Sequence, residues 1–481
     1  MQVPSLKKNA ALNVIKTLMS LIFPLITFPY VSRILLPDGL GKINFARAIM
    51  EYFVLIASLG ISLYGTREVA KIRNDAYLLS KFSKEIFIIN MGATVFAYLL
   101  FFISLFAVPK FEAYRALLCV FSATILFTTI GMDWLYNGVE DFYYITVRYI
   151  AFNVLSLVLL FMFVRSQKDY LLYAFISVLA STGANILNFI HSRKYINFSL
   201  VKELEFKKHI KPVLIMFAMA LTIKIYTVLD TTMLGFICSD WHVGIYSAAV
   251  KINKIILALV VSASTVLLPR LSYYSEQKDQ EKFNAITRKG LNLLLLVAIP
   301  CAAGLCLLSP QIISLLSGDA YSAAVSSMRI MNPIILMIGV SNFIGLQLFM
   351  PLRKEKYTLY SVIWGAAVNF TLNLVLIPRY QVLGAAVSTL VAETAVTAVQ
   401  LVLARDIIDL KAMAKTGAMY LLNAVVMSVF VYMVAHMTEN VLISFIFGVV
   451  SGVVVYMALL LLERNEIAYA VIKAVKRRFI C

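Results

Sequence analysis

Lys84-Glu-Ile-Phe-Ile-Ile-Asn90-Met-Gly-Ala-Thr-Val-Phe-Ala-Tyr-Leu-Leu100-Phe-Phe-Ile-Ser-Leu-Phe-Ala-Val108 is a continuous apolar run with its charges confined to one end. Roughly 20 residues at 1.5 Å each span the ~30 Å hydrocarbon core as a helix. A barrel strand would instead alternate over about ten residues. Working outward, the same pattern recurs at 11–33, 43–65, 114–135, 143–164, 170–190, 211–237, 244–268, 289–316, 325–352, 358–378, 382–404, 417–437 and 441–462. Polar residues interrupt 43–65 and 382–404 more than the others. The pattern predicts an all-α polytopic membrane protein of about 14 transmembrane helices: two pseudo-symmetric six-helix bundles, 1–208 and 209–410. Residues 411–481 would add two helices and a basic cytoplasmic tail.

Composition agrees. Of 481 residues 61% are hydrophobic and 14% charged, where a soluble domain carries about a quarter charged. Mean hydropathy is +0.86. The net charge of +18 would point a soluble protein toward nucleic acid. In a membrane protein it points to cytoplasmic loops and anionic lipid, so nucleic acid is not an expected partner. With the N-terminus inside, the loops on that side hold 30 Lys and Arg. The opposite loops hold seven (Arg33, Lys42, Lys110, Arg115, Arg165, Lys168, Arg379), and six lie within spans. This bias predicts an even number of helices with both termini cytoplasmic.

Cys119, Cys238, Cys301, Cys306 and Cys481 show neither metal-ligand spacing nor a disulfide framework, and no cofactor is expected. The first apolar run lacks a small-residue cleavage site and reads as a retained helix. The largest polar stretches, 191–210 and 270–288, are cytoplasmic in this topology and too short to be domains. Gly41-Lys-Ile-Asn-Phe-Ala46-Arg-Ala-Ile49 and Gly244-Ile-Tyr-Ser-Ala-Ala249-Val-Lys-Ile252 align Gly, Ala and Ile. They open helices six places apart, as a parallel internal repeat would.

Lys16, Arg47, Lys224, Lys251, Lys254 and Arg329 fall inside apolar runs. Each costs ~2.5–3.5 kcal/mol at a lipid-facing helix centre, so the six are expected to face protein or water. Asn13, Thr17, Ser20 and Thr27 accompany Lys16. Thr227 and Thr231 follow Lys224 at i+3 and i+7, and Ser247 and Ser262 flank Lys251 and Lys254. These stripes predict an aqueous cleft between the halves. The bland alternatives are local: Arg47 and Glu51 at i, i+4 can neutralise each other, Lys16 can snorkel, and Lys224 can approach Asp230. Lys251 and Lys254 have no acid within a turn of their helix and most need an external anion. Glu51, Asp133, Asp230 and Glu393 are the acids within spans. Of these, Asp230, Glu393 and Glu51 are candidates for a coupling ion or a structural counter-ion. Asn369 and Asn373 either line the second half or bond helix to helix, and Gly448-Val-Val-Ser-Gly452 is a packing motif.

A basic cleft in a membrane suits phosphate. A diphosphate on a lipid carrier fits, with the tail in lipid and the headgroup crossing through water. No P-loop, Ser/His/Asp grouping or cluster of His191, His209, His242 and His436 is present in the sequence, so an enzyme is not expected.

Pro24-Leu-Ile-Thr-Phe-Pro29-Tyr-Val-Ser-Arg33-Ile-Leu with Gly39-Leu-Gly41 resembles the opening of the Wzx-type polysaccharide (O-antigen) flippases. These belong to the MOP superfamily, along with the MATE exporters and the lipid II flippase. Trp134-Leu-Tyr-Asn-Gly138-Val-Glu140-Asp-Phe with Ile145-Thr-Val-Arg148 is similar to that family's connection between the fourth and fifth helices. Asn373-Leu-Val-Leu-Ile-Pro378-Arg-Tyr with Gly384-Ala-Ala-Val-Ser-Thr389 is similar to its turn between the eleventh and twelfth. The resemblance implies two bundles alternating in access and an undecaprenyl-diphosphate-linked glycan as substrate, carried across the inner membrane. It also implies a polysaccharide polymerase and a chain-length regulator as pathway partners. Arg47, Lys224, Lys251, Lys254 and Arg329 match its cationic cavity in kind, though no motif transfers those positions. Two other readings compete. A MATE-like exporter of cations would need acids in its path. A membrane-embedded polymerase or glycosyltransferase would, by family analogy, need a sizeable charged outer loop.

Overall fold

A computed structural model of the chain describes residues 6–265, 267–465 and 467–469. The basic residues Lys473, Lys476, Arg477 and Arg478, together with Cys481, lie outside the described residues, as do the side chains of Lys7, Lys8 and Asn13. The described residues form helices joined by short turns, without strands.

Among the described residues, twelve stretches are long and apolar enough to cross a membrane. Two of them, Val14–Ile72 and Glu355–Leu403, run 59 and 49 residues. A straight helix of 59 residues would be ~88 Å long, nearly three times the hydrocarbon core. Positive-φ residues break both: Leu36 (φ 54°, ψ 176°), Leu59 (φ 46°) and Gly60 (φ 68°) in the first, and Gln381 (φ 51°, ψ −121°) in the second. Leu36 precedes Pro37, and the residue before proline is driven out of the α region. Past Gln381 a Cβ on Gly384 would collide with the Leu376 carbonyl. Residues eight apart in an unbroken helix are ~12 Å apart, so the chain reverses there. Counting both arms of each stretch gives fourteen crossings, and the two runs read as interrupted by polar residues are the returning arms.

The chain divides into two compact units, 1–244 and 245–481. The first contains α1 (Leu6–Ser58), α2 (Ile61–Ile72), α3 (Ala76–Ala107), α4 (Arg115–Gly131), α5 (Asp133–Gly138), α6 (Phe142–Phe163), α7 (Tyr170–Val178), α8 (Asn185–His191) and α9 (Lys207–Ile237). The division lies further along the chain than residue 208 because α9 packs on α1. Gly60, in the left-handed conformation at φ 68°, sits against the backbone of Met216 and Phe217, leaving no room for a Cβ. The first turn of α10 (Asp240–Thr265) also belongs here: Gly41 lies on the Asp240 carbonyl and Gly244 on that of Pro37.

The end of this unit that holds α2 and α5 is sealed by Ile61, Tyr64, Val69, Phe82, Trp134 and Val213. Within that seal, Glu85 accepts hydrogen bonds from His209 Nε2 (2.8 Å), the Glu205 backbone N–H (2.7 Å) and Lys208 Nζ (3.2 Å). His209 Nδ1 meets the Tyr64 hydroxyl at 2.8 Å. At the opposite end, Tyr114 donates to Asp240, and Lys110 Nζ to the carbonyls of Phe236 and Cys238.

The second unit continues with α10 and contains α11 (Leu268–Glu276), α12 (Gln280–Leu316), α13 (Ala324–Met331), α14 (Ile334–Asn342), α15 (Glu355–Leu403), α16 (Leu410–Ala435) and α17 (Val441–Leu462). Gly448 and Gly452 on α17 let Leu308 and Val431 approach the helix backbone, the packing role read from their spacing. Asn369 and Asn373 are buried and bonded to each other at 3.1 Å. Buried along one helix, they do not line a wet surface.

Candidate functional site

In the first unit the returning arm of α1 packs on α9, and four of the expected residues lie on these two helices. Lys224 Nζ donates to Glu51 Oε2 at 2.9 Å. The Glu51 partner is therefore on another helix, not Arg47 one turn away. The Arg47 guanidinium instead lies 5.5 Å from the centre of the Phe121 ring, within cation–π range. Asp230 is buried two turns beyond Lys224 and already has a partner. Tyr52, next to Glu51, meets Thr232 at 3.3 Å, which ties the two helices together at that level.

Lys224 is the eighteenth residue of a 31-residue helix, close to mid-membrane by length. Its side chain is nevertheless 37% exposed, and that of Glu51 38%. An ion pair so exposed at that depth would be poorly solvated by hydrocarbon. The arrangement therefore requires water. Lys224 and Glu51 cancel, and the formal charges of Arg47 and Asp230 cancel likewise, so the four residues together carry no net formal charge.

Lys16 is separate from this group. It is half-buried on the first arm of α1, where Asp133 and Arg148 are the charges that act on it. Arg148 donates to Asp133 at 2.6 Å and to Asn185 at 3.2 Å, and Asn188 reaches Asp133 at 3.1 Å. Asp133 is thus a counter-ion for Arg148, a residue the sequence placed in a loop.

In the second unit, Lys251 is half-buried and already engaged, so the expectation that both lysines of α10 lack a partner fails for this one. Lys254 is exposed. Asn253 is buried, with neither amide atom hydrogen-bonded among the described residues. Sequence reasoning passed over it, since an Asn beside two lysines carries no pattern. Arg329 on α13 is exposed and donates from Nε to the Cys306 carbonyl on α12 (3.2 Å). Glu393 on α15 is buried and has a partner of its own. Among the described residues no group of three or more His, Cys, Asp or Glu could hold a metal ion.

The sequence also missed the Tyr64–His209–Glu85 chain. Its members are 21 and 124 residues apart, so no spacing rule reaches them.

Residues 6–275 match the polysaccharide biosynthesis protein family, and 215–378 match the MatE family. A protein of Escherichia coli (strain K12) named "Putative O-antigen transporter" is 23% identical over 404 residues, 84% of this chain and 97% of that protein. Among solved structures, the lipid II flippase MurJ in an inward closed conformation superposes with a TM-score of 0.77 at 17% identity, covering 94% of this chain and 99% of that one. An inward-facing multidrug resistance MATE transporter of the MOP superfamily gives 0.65 at 13% identity, covering 82% and 95%. These two share the fold. The chain is a multi-pass membrane protein of the polysaccharide biosynthesis family.

Proposed function

We propose that this protein is a flippase for an undecaprenyl-diphosphate-linked oligosaccharide, an O-antigen or similar repeat unit. It carries its substrate from the cytoplasmic to the outer leaflet of the inner membrane by alternating access, with both termini cytoplasmic. The family match, the transporter relative and the flippase fold support transport of a lipid-linked glycan. The observation that carries the reading furthest is the half-exposed Lys224–Glu51 pair at mid-membrane, with Arg47 on the same arm of α1 as Glu51. Glu51 keeps Lys224 neutralised until a phosphate competes for it. A charge-assisted bond to either anion is similar in kind, so the exchange binds the diphosphate without trapping it.

Lys254, Lys251, Arg329 and Lys16 are the further proposed contacts along the path, with Asp230 and Glu393 as coupling or counter-ion groups. Residues 1–208 and 209–410 are the proposed alternating bundles, with 411–481 as an addition to them. The polymerase and the chain-length regulator that use the flipped unit are the proposed partners. A cation exporter is the weaker reading, because bases outnumber acids within the spans.

Complementation of a flippase-deficient, polysaccharide-producing strain tests this. Wild type is expected to restore surface polysaccharide. Arg47→Ala, Lys224→Ala and the double variant Lys251→Ala/Lys254→Ala are expected to lose it at normal membrane abundance. Full activity in every variant would remove the cationic path, and failure of wild type would remove the substrate assignment.

A further inference from the structure

The second unit holds a cavity of about 440 Å³ where α12 meets the start of α16. That volume lies within the ~300–1,000 Å³ usual for ligand pockets. At 37 residues, α12 is ~55 Å long against a ~30 Å hydrocarbon core. Its first turns therefore project past the membrane boundary, and the cavity is interfacial.

One wall is a row along α12: Glu281, Asn284, Arg288 and Asn292, at steps of three and four residues. Such steps put side chains on one helix face. Arg288 has no ion pair or hydrogen bond with another described residue. The other wall is apolar, with Ile407, Ile408 and Met413, and Leu291 closes the floor. Asp409 also lines the cavity, and its Oδ1 caps α16 by accepting from the Ala412 N–H at 3.0 Å.

We propose that this cavity binds a membrane phospholipid whose headgroup joins a phosphate to a primary ammonium, as in phosphatidylethanolamine. The guanidinium of Arg288 takes the phosphate as a two-pronged donor. Glu281 lies two turns away, ~10 Å along the helix, and its carboxylate accepts from the ammonium; the Asn284 carbonyl oxygen in the same row already accepts from Gln280 Nε2 at 2.9 Å. The apolar wall takes the glycerol and the first methylenes of the acyl chains. A purely anionic headgroup would leave Glu281 facing a like charge, and a choline headgroup has no N–H to donate.

Native mass spectrometry of the detergent-solubilised full-length protein, titrated with phosphatidylethanolamine, phosphatidylcholine and phosphatidylglycerol, tests the assignment. Phosphatidylethanolamine is expected to be retained about ten-fold more tightly than either of the others, the worth of one charged hydrogen bond. Arg288→Ala should abolish that retention. Glu281→Gln should bring phosphatidylethanolamine down to the level of phosphatidylcholine. Arg288→Lys should keep part of the affinity, which separates loss of the phosphate contact from loss of fold. Unchanged retention in Arg288→Ala would overturn the site. A preference for phosphatidylglycerol, or equal binding of all three lipids, would overturn the headgroup.

Discussion

Glu51 and Glu85 are both carboxylates within long apolar helices of the same unit, and both meet a basic side chain, yet their surroundings are opposite. The side chain of Glu85 is 0% exposed and that of its partner His209 3%. Three donors saturate its oxygens. Among the described residues Glu51 has one donor, Lys224, and it is more than a third exposed. A saturated buried carboxylate has no capacity left for a ligand, and removing it strands its donors. A half-wet carboxylate on a single lysine is exchangeable. Position in an apolar run therefore does not separate a structural acid from a working one; the number of donors and the access of water do.

The harshest test of that contrast is Glu85→Ala. It leaves His209 Nε2, the Glu205 N–H and Lys208 without their acceptor, and breaking a buried charged network costs ~3–5 kcal/mol. A loss of that size is a large share of the ~5–15 kcal/mol that holds a typical domain folded. The expected outcome is a steep fall in membrane abundance and in melting temperature, with Glu85→Gln intermediate because its amide oxygen still accepts. Wild-type stability in Glu85→Ala would break the comparison.

Glu51→Gln should do the reverse. A pair this exposed is worth ~0–1 kcal/mol, so abundance and melting temperature should stay near wild type. Lys224, no longer neutralised, should hold phosphate more tightly and release it more slowly. Surface polysaccharide in the complementation assay is expected to fall several-fold at constant protein level. A Glu51→Gln protein as unstable as Glu85→Ala would show that both acids are structural.

The contrast also marks what the sequence could and could not say. Hydropathy runs gave the crossings, because ~20 apolar residues have few alternatives to a membrane helix. The more polar runs 43–65 and 382–404 correspond to the return arms past Leu36 and Gln381, but the first arm ends at Ser58, before the run does. Lys224, Arg47 and Glu51 were legible as charges in the wrong solvent. Their pairing was not. The i, i+4 rule pointed from Arg47 to Glu51, but the rule covers only neighbours on one helix. The partner proved to be 173 residues away in the chain. Glu85 escaped for a related reason. It stands beside Lys84 at the end of its run and reads as an interfacial charge, and only the fold brings His209 and Tyr64 onto it.

Glu205 supplies the smallest effect and the finest test. Its backbone N–H serves Glu85, while its own carboxylate accepts from Lys81 at 2.7 Å and from Lys208 at 3.4 Å in the loop before α9. Those two cations, the Lys81 hydrogen bond foremost, hold the Glu205 carboxyl below the usual glutamate range. A depressed carboxyl pKa stabilises the fold above its unfolded value, and that contribution is lost as pH falls through the folded one. The group is exposed, so solvent and salt screen the pairs. Glu205→Gln is therefore expected to melt slightly below wild type at pH 7 in low salt. The gap should close in acid and in high salt, because the backbone N–H to Glu85 survives the substitution. A gap as wide as that of Glu85→Ala, or one that persists in acid, would mean that the Glu205 side chain belongs to the buried network rather than to its solvated rim.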